Sequence, residues 1–399
     1  MKYLTLLALM VVFAVGCGKP VSKCTAPEDN APHHYVRGME LLADNKADDA
    51  AAKFERSLYC DEEFSQAHGG LAIAQALKAV SKNDVGYKKV DADKAAEHLK
   101  QADKKTDTDE DKFSVHVAEM RVQTILKRGK WLSEAQGHYK DAMKIKVDDK
   151  KLLYYDGREA AIYYMGIAYL DARELQKARD MFSDVLAEKA ASKWNAPAEK
   201  GWKRVDKILR AMAGKTAGDV GKQIALRDSV NRGELSALLI EELKIDKLFA
   251  GRIASKSASD KMKAEFTPAD TMNTPFKDDI LTLMKWNIRG LEPVYDETTK
   301  AYLFKPDAPV SRKDLAFALE DVLAKITGDE AIATKFIGND KSPFPDVHAS
   351  AAWFNAAMNM TTRGLMETEL SGDFRPNEPI DGAEALLAIR VLKHALNVQ

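Results

Sequence analysis

The chain has 399 residues, 60 Lys plus Arg against 61 Asp plus Glu, and 45% hydrophobic residues. That length exceeds what one helical core holds and fits two domains of ordinary size. The near-even charge balance advertises neither nucleic acid nor an acidic membrane surface as a partner. Charges are spread along helical stretches, apart from Asp103–Lys112, which reads as a solvated loop.

At the N-terminus Lys2 supplies a positive start, Leu4 to Val15 an apolar run, and small Gly16 precedes Cys17, the layout of a secretory signal peptide. The run is shorter than the roughly 20 residues that span a hydrocarbon core. No later segment approaches that length without charges. Ala14-Val15-Gly16-Cys17 resembles the lipobox of bacterial lipoproteins. The resemblance implies cleavage before Cys17, a diacylglycerol on its sulfur, and an anchor of several acyl chains, far firmer than a single chain gives. Gly18, where an inner-membrane retention signal has Asp, implies the outer membrane in a two-membrane cell. The alternative is an ordinary secretory signal with Cys17 incidental. Cys24 and Cys60 are left for an oxidising compartment. A bridge between them would close a loop of about 35 residues and stabilise by about 3 kcal/mol; two free thiols are the other reading.

From Pro32 to Gly214 the chain is Ala-rich and periodic at helical spacing, and it repeats itself. Gly166 is followed at offsets of twelve and sixteen by Ala178 and Phe182; Gly38 is followed at the same offsets by Ala50 and Phe54. Between these units, Ala67–Val80 reads as a first helix and Ala95, Leu99 and Ala102 mark a second, with an insertion near Lys82–Asp91. A helix around Phe113–Lys127 precedes another marked by Ala135, Tyr139 and Ala142, and Lys200–Met212 closes the array. These offsets resemble the tetratricopeptide repeat, without its early tryptophan or closing proline. The resemblance implies about four stacked helical hairpins in a solenoid that holds a peptide or partner helix. Tyr154, Tyr155, Tyr163 and Tyr164 read as core packing in preference to a ligand face.

After Gly214 three stretches align: Val230-Asn231-Arg232-Gly233-Glu234, Val310-Ser311-Arg312-Lys313-Asp314 and Ile380-Asp381-Gly382-Ala383-Glu384. Each is a β-branched residue, a capping residue, a variable pair and a carboxylate ahead of an apolar helix. Two carry a preface, Phe304-Lys305-Pro306-Asp307-Ala308-Pro309 and Phe374-Arg375-Pro376-Asn377-Glu378-Pro379. Arg289-Gly290-Leu291 parallels Arg363-Gly364-Leu365, with glycine just past a helix end. With Phe344-Pro345-Asp346-Val347 and Trp353, the set resembles the S-layer homology motif over Ala225–Leu396, the third copy fullest. The resemblance implies a largely helical, pseudo-threefold domain that binds cell-wall glycan in grooves between copies, with Arg232, Arg312, Asp346 and Trp353 as candidate ligand residues. A guanidinium fork matches a sugar carboxylate; the alternative is that both arginines pair with Glu234 or Asp314 at the surface. Gly382 stands where the third arginine would be.

Catalytic motifs are missing: there is no nucleophile elbow and no Gly-x-Gly-x-x-Gly loop, and Gly214-Lys215-Thr216 lacks the first glycine of a phosphate loop. The eight histidines are scattered, only His33-His34 adjoin, and neither metal nor cofactor is expected. The fold class is therefore mainly α, a TPR-like α-solenoid followed by a largely helical SLH-like three-repeat domain with short extended segments. The expected parts are a signal peptide at 1–16, a lipidated tether at 17–31, the repeat array at 32–214 and the SLH-like domain at 215–399. The function read from them is a non-catalytic cell-envelope lipoprotein, on the outer membrane facing the periplasm, that binds cell-wall polysaccharide or peptidoglycan and, in the solenoid, an envelope protein. The alternative is an assembly factor for pili, secretion channels or outer-membrane proteins in which the SLH-like repeats are only structural.

Overall fold

The computed structural model describes residues 24, 26–188, 192–213, 218–252 and 266–396. Segment 1–16, Cys17 and the expected boundary at Gly214/Lys215 lie outside the described residues. The chain divides into units 1–202 and 203–399, so the division falls within a helix, Asn195–Met212. Among the described residues no helix is long and apolar enough to cross a membrane.

The first unit contains α1 (Ala31–Ala43), α2 (Ala47–Cys60), α3 (Ser65–Ser81), α4 (Val85–Lys104), α5 (Asp109–Leu126), α6 (Trp131–Lys144), α7 (Glu159–Asp171), α8 (Leu175–Ala187) and the start of α9 (Asn195–Met212). They pack as successive pairs, α1 on α2, α3 on α4, α5 on α6 and α7 on α8, while α1, α3, α5 and α7 also pack in succession. A glycine–phenylalanine wedge recurs at both ends of the array. Phe54 of α2 is fully buried, and a Cβ at Gly38 of α1 or Gly70 of α3 would lie closer than 3.0 Å to its ring. Phe182 of α8 sits the same way against Gly166 of α7 and Gly201 of α9, 2.7 Å from either hypothetical Cβ. Glycine is needed there because the rings leave no volume for a side chain.

Two expected irregularities are absent. Residues 85–91, assigned to an insertion, are the first turns of α4, which Asp84 caps by accepting from Tyr87 N. Residues 109–112, assigned to a solvated loop, open α5: Thr108 and Asp111 form a reciprocal capping box, so the acidic run lies in the first turn where the helix dipole favours it. At the N-terminal edge Cys24 and Cys60 form a disulfide spanning 36 residues, packed with Ala31 and Phe64. The four tyrosines gather around Trp194: Tyr155 is 1% exposed, Trp194 Nε1 donates to Tyr155 O at 2.5 Å, and Tyr163 and Tyr164 lie 5.3 Å from the Trp194 ring.

The second unit carries the remainder of α9, then α10 (Asp219–Ile224), α11 (Arg232–Glu241), α12 (Ile245–Arg252), α13 (Lys277–Lys285), the antiparallel hairpin β1 (Val294–Asp296) and β2 (Ala301–Leu303), α14 (Arg312–Thr327), α15 (Phe354–Thr362) and α16 (Gly382–Ala395). Helices α11, α14 and α16 begin at the three aligned stretches. Asn231, Ser311 and Asp381 cap them, each side chain accepting from the backbone N–H three residues on. Just ahead of the caps, Val310 N donates to Val230 O at 2.8 Å, Ile380 N to Val310 O at 2.9 Å, and Val230 N to Ile380 O at 2.9 Å. The three β-branched residues thus close a cyclic set of backbone hydrogen bonds, and Val230, Val310 and Ile380 are at most 1% exposed. Further along, a buried polar knot joins α14 to α15: the Glu320 carboxylate accepts from Asn355 at 2.5 Å and Asn359 at 2.6 Å and pairs with Arg289.

Truncating the wedge ring should open a cavity among α7, α8 and α9. Phe182→Ala is expected to destabilise by about 3–5 kcal/mol, read as loss of amide-exchange protection in those helices; unchanged protection would show that the ring does not carry the packing.

Candidate functional site

The clefts between successive copies are built by the helix starts. Arg232 N and Gly233 N donate to Ala308 O and Pro306 O, and Arg312 N and Lys313 N repeat this on Glu378 O and Pro376 O. Each preface loop is therefore fastened to the preceding copy's helix N-terminus, where orphan N–H groups need acceptors.

The arginines expected to meet a glycan complete the same fastening. Arg312 is 1% exposed; its Nε donates to Phe374 O at 2.6 Å and an Nη to Glu367 O at 2.7 Å, while the other Nη pairs with Glu384. Arg232 donates to Phe304 O at 2.7 Å and to Gly290 O and Glu292 O at 2.9 Å each. Each guanidinium also covers a phenylalanine ring, Phe304 at 4.7 Å and Phe374 at 5.1 Å. Burial pulls the Arg232 pKa down, with Asp314, Glu292 and Asp270 opposing. Both guanidinium forks, expected to face a ligand or to pair with Glu234 or Asp314 at the surface, are engaged by groups of the next copy, while Glu234 and Asp314 close the capping boxes of their own helices. A planar guanidinium donates to several convergent acceptors at once, which makes the buried Arg312 and the partly buried Arg232 clamps between copies.

Asp346 is internal in its bonding as well. Its carboxylate accepts Phe374 N at 2.8 Å and Arg375 N at 2.6 Å, shaping a turn in which Arg375 takes a φ of 56°. Asp270 does the same for Phe304 N and Lys305 N, with Lys305 at a φ of 57°. Asp270 is the second copy's counterpart of Asp346, hidden in the sequence because Pro268-Ala269-Asp270-Thr271 lacks the flanking Phe and Val. The missing third arginine also has a reason. A Cβ at Gly382 already collides with Ile224 O of α10, and Lys207 of α9 reaches Asp381 at 2.8 Å and Glu384 at 3.6 Å, taking the cation's place.

What remains free for a ligand lies beside these clamps. Trp353, at the N-cap of α15, is partly exposed, and Lys313 Nζ lies 4.8 Å over its ring while donating to Asn377 Oδ1 at 2.7 Å. The ring, ammonium and amide stand where α14 of the second copy meets the preface and α15 of the third. An open cleft of about 420 Å³ along the neighbouring loop is lined by Asp340, Ser342, Phe344, Pro345, Asp346 and His348, so the candidate Asp346 also borders it. The other junctions are built differently: Phe276, at the N-cap of α13, packs on Gly233, and Ala383, 2% exposed, occupies the third equivalent position. Among the described residues the aromatic–cation–amide set occurs at the junction of the second and third copies. Of the candidates, Trp353 alone belongs to it; Lys313 and Asn377 carry no local signal of a site, because the aromatic that gives them a role lies 40 residues from the one and 24 from the other.

Residues 343–386 match the family model of the S-layer homology domain. That segment runs from the Phe344 loop through Trp353 and the Phe374 preface into α16, and it points to association with the cell wall or envelope. No curated protein and no solved structure matches the chain.

If Arg312 is a clamp, its loss leaves two carbonyls without a donor and Glu384 with Lys207 as its remaining cation. Arg312→Gln is expected to cost about 3–5 kcal/mol, more than Arg232→Gln, measured by urea denaturation of the full chain. Equal midpoints for wild type and Arg312→Gln would return the arginine to the ligand side.

Proposed function

We propose that this protein is a non-catalytic cell-envelope component that holds cell-wall polysaccharide in the groove formed by Lys313, Trp353 and Asn377. The observation that carries the reading is the coincidence of the S-layer homology match at 343–386 with the junction where an aromatic face, a cation and an amide converge. The chemistry suits an anionic glycan. A sugar ring stacks its C–H face on an indole, the ammonium meets a carboxylate or phosphate substituent, and the amide hydrogen-bonds hydroxyl groups. One equipped groove of three accords with a single matched segment.

The N-terminal pattern around Cys17 supports lipid anchoring, and the paired helices of the first unit support a role in holding an envelope protein, as tetratricopeptide-like arrays do. Wall binding at one end and a lipid at the other make the chain a tether, on the outer membrane facing the periplasm in a two-membrane cell.

Full-length protein without its signal peptide is expected to co-sediment with purified cell-wall sacculi that retain their polysaccharide, and to stay in solution when the polysaccharide is stripped. Trp353→Ala and Lys313→Gln should each weaken binding by roughly tenfold, equivalent to about 1.4 kcal/mol, with helix content unchanged. Equal sedimentation of wild type and both variants would move the glycan site away from this groove, and wild type left in solution would make the repeats structural and favour the assembly-factor reading. Separately, Cys17→Ser is expected to abolish labelling by a palmitate analogue and leave an unprocessed precursor; persistent labelling would remove the anchor from this reading.

A further inference from the structure

Sequence alone leaves the histidines scattered, yet the packing of α5 on α6 brings two of them to one carboxylate. His116 and Glu119 lie one turn apart on α5, on the same face, and His138 approaches from α6. His116 Nδ1 is 2.9 Å and His138 Nδ1 2.8 Å from the same Glu119 oxygen, and all three atoms lie within 4.8 Å of one another. The imidazole rings are 5.8 Å apart and inclined by 35°. Their side chains retain 26% exposure and that of Glu119 16%, so the cluster is sheltered but open to an entering ion.

We propose that His116, Glu119 and His138 form a binding site for a divalent transition metal of the zinc type, with water completing the coordination. Two imidazole nitrogens and a carboxylate oxygen are the donor set such ions take, and bond lengths of 2.0–2.2 Å at tetrahedral angles put neighbouring donors about 3.3 Å apart. The two carboxylate–imidazole separations fall a few tenths of an ångström short of that value and all three donors lie within 4.8 Å, so small rotations of side chains that already converge suffice. The surroundings are acidic: Glu134 and Asp141 flank His138 at helical spacing on α6, and Asp141 lies near both imidazoles, itself pairing with Lys144.

The other histidine pair of the array supplies a contrast. His68 and His98, joining α3 to α4, stand with Nδ1 atoms 3.3 Å apart, and burial together with His98 pushes His68 down to about 4, the environment of a neutral packed pair. Among the described residues the one further three-donor convergence is Cys24, Asp29 and Cys60, whose sulfurs are already joined to each other.

The test uses full-length protein freed of metal by a chelator and titrated with ZnCl₂ by calorimetry, with Co²⁺ ligand-field absorption as a second readout. One ion per chain, bound more tightly than about 10 µM, is expected. His116→Gln and His138→Gln should each weaken binding at least tenfold, and the double variant should show no saturable binding. Glu119→Gln keeps acceptors for the histidine N–H groups, so it should preserve amide protection in α5 and α6 while losing affinity; His33→Gln and His348→Gln should change neither. Zinc should also raise amide protection of α5 and α6 in wild type, because a ligand bound only to the folded state stabilises it by mass action. Wild-type affinity weaker than about 10 µM, or unchanged binding in the His116→Gln/His138→Gln double variant, overturns the proposal.

Discussion

The second unit depends on a ring of three backbone hydrogen bonds, Val310 to Val230, Ile380 to Val310 and Val230 to Ile380. No copy can satisfy its own extended residue, because the donor and the acceptor of each belong to different copies. Buried peptide groups left unpaired are costly, so the ring ties the three helix starts to one another. It also sets where everything else goes. Once the caps of α11, α14 and α16 are placed, the first-turn N–H groups of α11 and α14 face the preface loop of the next copy, and the arginine one residue later is carried into the same seam.

This explains why the same arginine position reads as a ligand in sequence and as a clamp in three dimensions. A guanidinium is suited to a carboxylate, but it is equally suited to several carbonyls converging in a plane. Each preface loop supplies one of those carbonyls, Phe304 O or Phe374 O, the others coming from Gly290, Glu292 and Glu367, and each loop is shaped by an aspartate, Asp270 or Asp346, that holds a left-handed residue in place. At the third seam the partner is the α9–α10 region rather than a preface loop, and glycine replaces arginine because Ile224 O occupies the space. The groove with Trp353 and Lys313 is thus what the clamps leave exposed between the second and third copies.

The first unit obeys a different constraint. Its helix pairs close around phenylalanines that press on glycines from two neighbouring helices, so the offset of sixteen residues between Gly38 and Phe54, or Gly166 and Phe182, records a contact within a pair. Gly70 and Gly201 complete each wedge from the next pair. Nothing in the spacing from Phe54 or Phe182 marks them in advance, since they are set by how one pair lies on the next.

What the sequence by itself determined was everything carried by local periodicity and local chemistry. The helical arrays, the three capping stretches, the Gly–Phe offsets and the Phe344-Pro345-Asp346-Val347 and Trp353 motif of the third copy all follow from residues within a turn or two, or from repetition of the same short pattern. Local rules also held the start of α5, where Thr108 and Asp111 cap a helix that the charge run disguised as a loop. Tertiary structure decided the partners of groups whose chemistry permits more than one. It made Arg312 a buried clamp, placed Lys313 over Trp353, and brought His138 to the carboxylate that His116 already shares. A side chain's type fixes what it can bind, but its role is settled by which donors and acceptors folding places within about 3 Å of it, and those come from elements that share no local pattern.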